Sequence, residues 1–408
     1  MIVVQPSYRV FGPLIPSTHW ISTLGGGAGD GGVGIVTDSV GNIYATGYTV
    51  GLADDIIVVK YNEFGVVQWQ VGIAGASHDN GVGIDVDGTD NIYVSAGTRS
   101  IGSGVSSILV LKYNSEGVLQ WQRTLGIDVG NDFCRGISVT NAGAVYVSGD
   151  STNVGTGDLS IVLAKYDTNG SIQWQRVLGG VQRDTSGDVI ADEAGNSFII
   201  GTTGSAGAGQ NDVVVAKYNS SGTIQWQRLL GWGETDGGQG IALDATGNVY
   251  ITGYTSSKLI VAKYNGSGTI QWQRTLADVS GNVGGNSIVL DSLGDIYITG
   301  FVSSTPDLII VKYDTNGTLL WQRVLGGTST DTGQGIAIDP SGNVCVTGYT
   351  LGTGAGGADI FVARLPSDGS KTGSYGPFVY QEISLTPATS TLTPATFTLT
   401  PALYSIPN

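Results

Sequence analysis

Cysteine, histidine and charge are all scarce in this 408-residue chain, and each scarcity narrows what it can do. The two cysteines, Cys134 and Cys345, are too few for a disulfide framework, and no metal-ligand spacing accompanies them. Cys345 stands where other copies of a repeat carry Tyr44, Tyr93, Tyr146, Phe198, Tyr250 and Tyr297, so it reads as a small buried hydrophobe. Cys134 falls in a loop four repeats away, and no bridge between them is expected. Only two histidines exist, His19 and His78. There is no Ser-His-Asp set, paired-carboxylate motif, phosphate loop or HExxH, so neither catalysis nor a cofactor is expected. Charged residues make up 12% of the chain and the formal net charge is −15, which argues against a phosphate-binding face for nucleic acid. No apolar run is long enough to span a membrane. The N-terminus, MIVVQPSYRVFGPLIPSTHW, has prolines at 6, 13 and 16 and no basic start, and does not read as a secretion signal.

What is abundant is glycine, 66 residues of it, and repetition. The stretch 240–276, GIALDATGNVYITGYTSSKLIVAKYNGSGTIQWQRTL, holds four strand-length apolar runs separated by turn residues and no helical periodicity. It reads as a four-stranded antiparallel meander. A tryptophan strand recurs at Trp20, Trp69, Trp121, Trp174, Trp226, Trp272 and Trp321, at intervals of 49, 52, 53, 52, 46 and 49 residues. That period suits a propeller blade and is too long for a β-helix coil. Of the 18 basic residues, twelve sit at two repeated positions, Lys60, Lys112, Lys165, Lys217, Lys263, Lys312 and Arg364, and Arg123, Arg176, Arg228, Arg274 and Arg323. They are spread around the array and not gathered on one face.

The order of the copies decides the topology. A tryptophan strand at 18–24 precedes everything, and the last repeat ends at Arg364-Leu365 without one. One strand is orphaned and one is missing, which a closed ring resolves and an open solenoid does not need. The expectation is an all-β, seven-bladed β-propeller of four-stranded blades over 18–365, with 18–24 completing the blade of 335–365. An extended arm lies on each side, 1–17 and 366–408. D-x-x-G-N turns join first and second strands, and Asn or Asp followed three residues later by Gly joins third and fourth. The second-to-third loops vary in length, which is where binding usually resides.

The run GIAIDPSGNVCVTGYT, with its DIFVAR and WQR companions, resembles the SBBP type of β-propeller repeat across 18–365. That resemblance implies the propeller fold and, since the family occurs in secreted bacterial surface proteins and in bacteriophage particles, one of those settings. It carries no catalytic residues. Beyond the ring, SLTPATS-TLTPATF-TLTPALY-SIPN places Pro387, Pro394 and Pro401 in a seven-residue register that forbids a helix. Threonine–proline heptads of this kind resemble segments in structural proteins of phages that infect cyanobacteria. A thread of this composition orders only if something holds it; a partner surface or symmetry mate is expected, engaging Pro387, Pro394, Phe397, Pro401 and Tyr404.

Four candidate sites emerge. The repeated tryptophans read as inter-blade core, ahead of carbohydrate stacking. Asp30, Asp79, Asp132, Asp184, Asp236 and Asp331 recur five positions before a first-strand apolar residue, with Asn282 near the sixth place. They would ring one mouth of the channel, as a cation site or, more simply, as caps of their own turns. Asp85-Val-Asp87-Gly-Thr-Asp90 does not have EF-hand spacing and reads as a hairpin turn. Trp232 is the one tryptophan outside the tryptophan strands. With Glu234, Arg99, Arg183 and Lys258 it would form a sugar- or protein-binding loop face, or else fold down as a plug.

The function expected is a non-enzymatic virion protein, a tail, fibre or capsid-decorating component. It would dock to other virion proteins, or self-assemble, through 1–17 and 374–408, and present its loops to a host-surface glycan, with no nucleic acid or membrane insertion. A secreted or surface-bound bacterial adhesin is the alternative, and a glycan-active enzyme the third. Residues 1–17 and 374–384, both aromatic, would meet at the closing blade as an attachment stalk.

Overall fold

A computed structural model describes residues 18–395 except 51–53, 74, 76, 102–104, 127–129, 153, 155–157, 208–209, 232, 353–355 and 390–392. Every regular element among them is a strand, and seven antiparallel sheets with four repeat-derived strands each make a seven-bladed β-propeller. Blade one is Gly31–Thr37, Ile43–Val50, Asp54–Tyr61 and Val67–Ile73. Blades two to six span 79–125, 132–178, 184–231, 236–277 and 283–326. Blade seven is 331–365 plus Trp20–Leu24. The chain forms two compact units, Met1–Ile84 with Leu276–Pro387 and Asp85–Thr275 with Ala388–Asn408.

The local rules are the same in every copy. Second and third strands are buried on both faces, so they read as continuous runs such as IYITG and LIIV and do not alternate. First strands carry a bulge, as between Gly32 and Gly34 or Ser186 and Asp188, which bends and twists them. In the D-x-x-G-N turn, Asp38 accepts from the amides of Val40 and Asn42 and from the Tyr44 hydroxyl at 3.0 Å. Lys60 stands 3.9 Å from the same carboxylate and 5.0 Å over the Tyr44 ring. One aspartate thus joins turn, second strand and third strand. Asp87 caps the amides of Thr89 and Asn91 in the same way, so the Asp85–Asp90 stretch is a hairpin turn.

In the first unit the N-terminal strand completes blade seven, with Trp20 opposite Arg364 and Leu24 opposite Ile360. This last copy departs from the others in two paired ways. Cys345 replaces the tyrosine, Arg364 replaces the lysine, and the two lie opposite each other in the ladder. The smaller cysteine leaves space for the guanidinium. Arg364, 2% exposed, donates from Nε to Asp339 at 2.6 Å and from Nη1 to the Thr18 carbonyl. The incoming chain is therefore held by a buried ion pair as well as by a strand ladder. Arg364→Met should cost about 3–5 kcal/mol by stranding the Asp339 carboxylate, and adding Asp339→Asn should recover most of it. Urea unfolding measures both; a loss below about 1 kcal/mol in the single variant refutes the pairing's importance.

Residues 374–384 are not a stalk. Gly373–Tyr375 and Phe378–Glu382 form a hairpin that extends blade six, with Tyr380 opposite Leu325. Phe378 and Tyr380 are buried among Phe361, Leu308 and Leu325, with the Phe378 and Phe361 rings 6.2 Å apart. Alternating aromatics in this segment fill a core. Residues 1–17 lie outside the described residues, and so does their expected meeting with 374–384.

In the second unit, Thr393–Ala395 adds a fifth strand to blade four, pairing Pro394 with Leu230. Thr386–Thr389 stands fifth in the sheet of blade five, with Pro387 exposed. The chain's own blade edges hold the thread at Pro387 and Pro394. Main-chain ladders supply the ordering that its side chains lack. Phe397, Pro401 and Tyr404 lie outside the described residues.

The tryptophans are inter-blade, as read, but only Trp20 is core. Trp121, Trp174, Trp226 and Trp321 are half-buried on outer strands, and each indole donates to a carbonyl in the turn that follows the next blade's third strand. The turn glycine lies under the ring: a Cβ on Gly222, at φ +74°, would sit 2.8 Å from Trp174. Arg176 completes the clasp, bonding the Gly222 and Ser221 carbonyls. The WQR motif is a peripheral seal.

Candidate functional site

Arg99, Arg183, Glu234 and Lys258 are all exposed, and all lie at the end of the blades where second strands finish and first and third strands begin. Arg99 follows the strand Ile92–Thr98, Arg183 precedes Asp184–Ala191, Glu234 precedes Asp236–Leu243, and Lys258 opens its strand opposite Thr255. They share one end of the blades. Trp232 lies outside the described residues.

The organised group at this end belongs to blade three and was not read from the sequence. Asp150 occupies the second-strand position held elsewhere by Tyr48, Gly97, Thr202, Tyr254, Phe301 and Tyr349. Its side chain is fully buried, and it receives Arg135 Nε at 2.7 Å. The Ser186 amide of blade four bonds its other oxygen. Burial pushes the Asp150 carboxyl up, and Arg135 and Arg183 oppose that. Arg135 keeps its guanidinium partly in water, 40% exposed, with its direction set by a carboxylate that cannot move. Two positions before it on the same strand is Phe133, opposite Asp150 in the ladder and 37% exposed, and in the next connection Val181 is 76% exposed. A fixed cation next to apolar surface suits recognition of a polar ligand with an apolar face, such as a sugar or a protein side chain. The signal was available: an aspartate where every other copy has an uncharged residue.

The repeated aspartates are not an open ring. Asp30, Asp79, Asp132, Asp184, Asp236 and Asp331 are each at most 2% exposed. Asp30 accepts from the amides of Gly26 and Val50, Asp184 from Gly180 and the hydroxyls of Thr203 and Ser205, and Asp331 from Gly327. Asp132 takes the Ser151 hydroxyl. They tie the outer-to-first-strand connection to the start of the second-to-third loop. Among the described residues, no three His, Cys, Asp or Glu side chains gather to hold a metal ion. Both cysteines are free and buried, and burial pushes the Cys134 thiol up to about 12, far from reactive.

Some acids are held out of their ordinary range. Desolvation raises Asp85 and Asp188 to about 7 each, despite amide bonds to Asp85 from Val139 and Val86 and to Asp188 from Val189. Desolvation, aided by the Asp331 charge, raises Asp307 to about 6. A raised folded-state pKa means the fold holds the proton more tightly than the unfolded chain. Stability from these groups is present at low pH and lost as pH climbs from about 4 through 6–7. The thermal midpoint should therefore fall between pH 5 and pH 8, and Asp85→Asn with Asp188→Asn should flatten that slope. A midpoint that rises over this window contradicts the reading.

The SBBP beta-propeller repeat model matches residues 225–260 and 320–354, each running from an outer tryptophan strand into the next blade. No curated protein matches the sequence. Among solved structures, the gluconolactonase XC5397 of Xanthomonas campestris is 12% identical, with 90% of this chain and 100% of that one covered and a TM-score of 0.45. The K499G mutant of NanB sialidase from Streptococcus pneumoniae is 8% identical, over 80% of this chain and 84% of that one, with a TM-score of 0.49. At such distances neither bears on activity. The repeat match bears on those two stretches, and the seven blades of one design rest on the sheets themselves.

Proposed function

We propose that this is a non-enzymatic structural protein of a bacteriophage particle, displaying the variable-loop end of its blades for adhesion to a host surface. The observation that carries the adhesive half is the Arg135–Asp150 pair beside Phe133: an exposed guanidinium anchored by a buried carboxylate, at the end where the loops vary. In most blades the repeat's lysines and arginines are taken up in clasps between turns and neighbours. Arg135 stands outside that scheme and is available to a ligand. The particle half rests on the likeness of the threonine–proline heptads to phage structural proteins. Docking to other particle proteins then falls to residues 1–17 and to the outward edge of the C-terminal arm.

Two measurements test it. Mass spectrometry of purified particles should find the chain; absence from any virion, with the protein recovered on a bacterial surface, favours the adhesin alternative. Binding to host envelopes should drop at least tenfold in Phe133→Ala with Arg135→Gln and Asp150→Asn, the last change sparing a stranded buried carboxylate, while the thermal midpoint holds. Unchanged binding removes this patch, and release of sugar from envelope glycans overturns the non-enzymatic reading.

A further inference from the structure

We infer that the open edge of blade three, the outer strand Ile172–Leu178, is the docking site of the chain's own third heptad, residues 398–404. The inference comes from register. Tyr380 lies opposite Leu325 on blade six, and Pro394 lies opposite Leu230 on blade four. Those leucines occupy equivalent places in LLWQRVLG and IQWQRLLG. Their partners are fourteen residues apart across two blades, so the arm advances seven residues per blade. Thr386–Thr389, halfway between, stands on the intervening sheet of blade five. The heptad in the sequence and the blade-to-blade step are the same length.

One more step from Pro394 reaches Pro401, and one more blade reaches the edge of IQWQRVL, where Leu178 is the equivalent leucine. That edge ends its sheet among the described residues: the order is Asp132–Val139, Val145–Ser151, Ser160–Tyr166, Ile172–Leu178, with nothing beyond. The sequence offered to it is the one already seated next door, since Thr-Pro-Ala recurs at 393–395 and 400–402. Blades of one design present equivalent edges at equal spacing, so a seven-residue tether that spans one step spans the next. Proline fits this position because an edge strand accepts it where its nitrogen faces away from the ladder. Backbone groups alternate along a strand, so the amides of Thr400 and Ala402 would then face blade three. A proline on the outermost strand also discourages further pairing, and the strap seals the edge it covers.

Hydrogen exchange followed by mass spectrometry tests this on the full chain. Amides around 177–180 should exchange at least tenfold more slowly in the full chain than in a chain ending at residue 397, while those at 229–231 are equal in both. Ala402→Pro, which removes a donor aimed at the blade, should abolish the protection without shortening the chain. Leu403→Pro, whose nitrogen faces solvent, should keep it. Equal exchange at 177–180 in the full and shortened chains overturns the inference. Protection that fades on dilution also overturns it, since the occupant would then be a second copy.

Discussion

Trp20→Ala is expected to lose about 3–5 kcal/mol of stability, where Trp121→Ala loses only about 1–2 kcal/mol. The difference comes from place and not from chemistry. Trp20 is 2% exposed, packs 5.5 Å from Tyr61, and donates to the Glu63 carbonyl at 3.0 Å. A Cβ on Gly65 would come within 2.6 Å of its ring, so the turn has already given up its side chain to admit the indole. Trp121 makes the same clasp on Thr168 with one side in water. Trp20 also sits on a strand brought to blade seven from the opposite end of the chain, so its loss weakens both a blade and its attachment. Equilibrium urea unfolding of the two variants decides the matter. Equal losses would mean that the closing strand adds nothing to what any outer strand contributes.

The second large effect belongs to Tyr380. Its ring is completely buried in the cluster that includes Phe361, Phe378 and Leu325, and Tyr380→Ala should cost about 3–5 kcal/mol. Its hydroxyl is buried without a hydrogen-bond partner, and desolvation pushes its pKa up. Removing that oxygen should cost nothing: Tyr380→Phe is expected to be neutral or to gain up to about 1 kcal/mol. The pair separates ring from hydroxyl in one experiment. A chain cut before residue 374 should be destabilised by at least as much as Tyr380→Ala, because it uncovers the same surface. If the cut chain unfolds with the full chain's stability, the hairpin is an ornament and the burial of Tyr380 is without consequence.

The propeller could be read from the sequence because each blade carries its own pattern and the count of strands leaves one over at the start. Closure by 18–24 followed from order alone. Arg135–Asp150 escaped notice because the signal is a single substitution in one copy, and seeing it requires knowing that position 150 is buried and opposite position 133. The aspartates at 30, 132, 184 and 331 were visible as a series, but which side of the backbone they face is set by a bulge that glycine and serine mark only weakly. The docking of the arm on the blades was not legible for a different reason. Its ordering comes from backbone ladders, which leave no trace in side-chain hydrophobicity, and its proline period acquires meaning only beside the spacing of leucines on blade edges.

The register of the closing strand also has a mechanical consequence. Residues 18 and 366 leave the ladder at the same end, so tension between them would peel the pair rung by rung instead of shearing all five rungs at once. Such geometries yield at low force unless the first rung is reinforced. Here the first rung is Trp20 opposite Arg364, and it carries the buried indole, the Asp339 ion pair and the bond to the Thr18 carbonyl. The rungs behind it, down to Leu24 opposite Ile360, have no such fastening. Tension applied between residues 18 and 366 would meet its main resistance at once, and the strand would come away readily after that rung had parted.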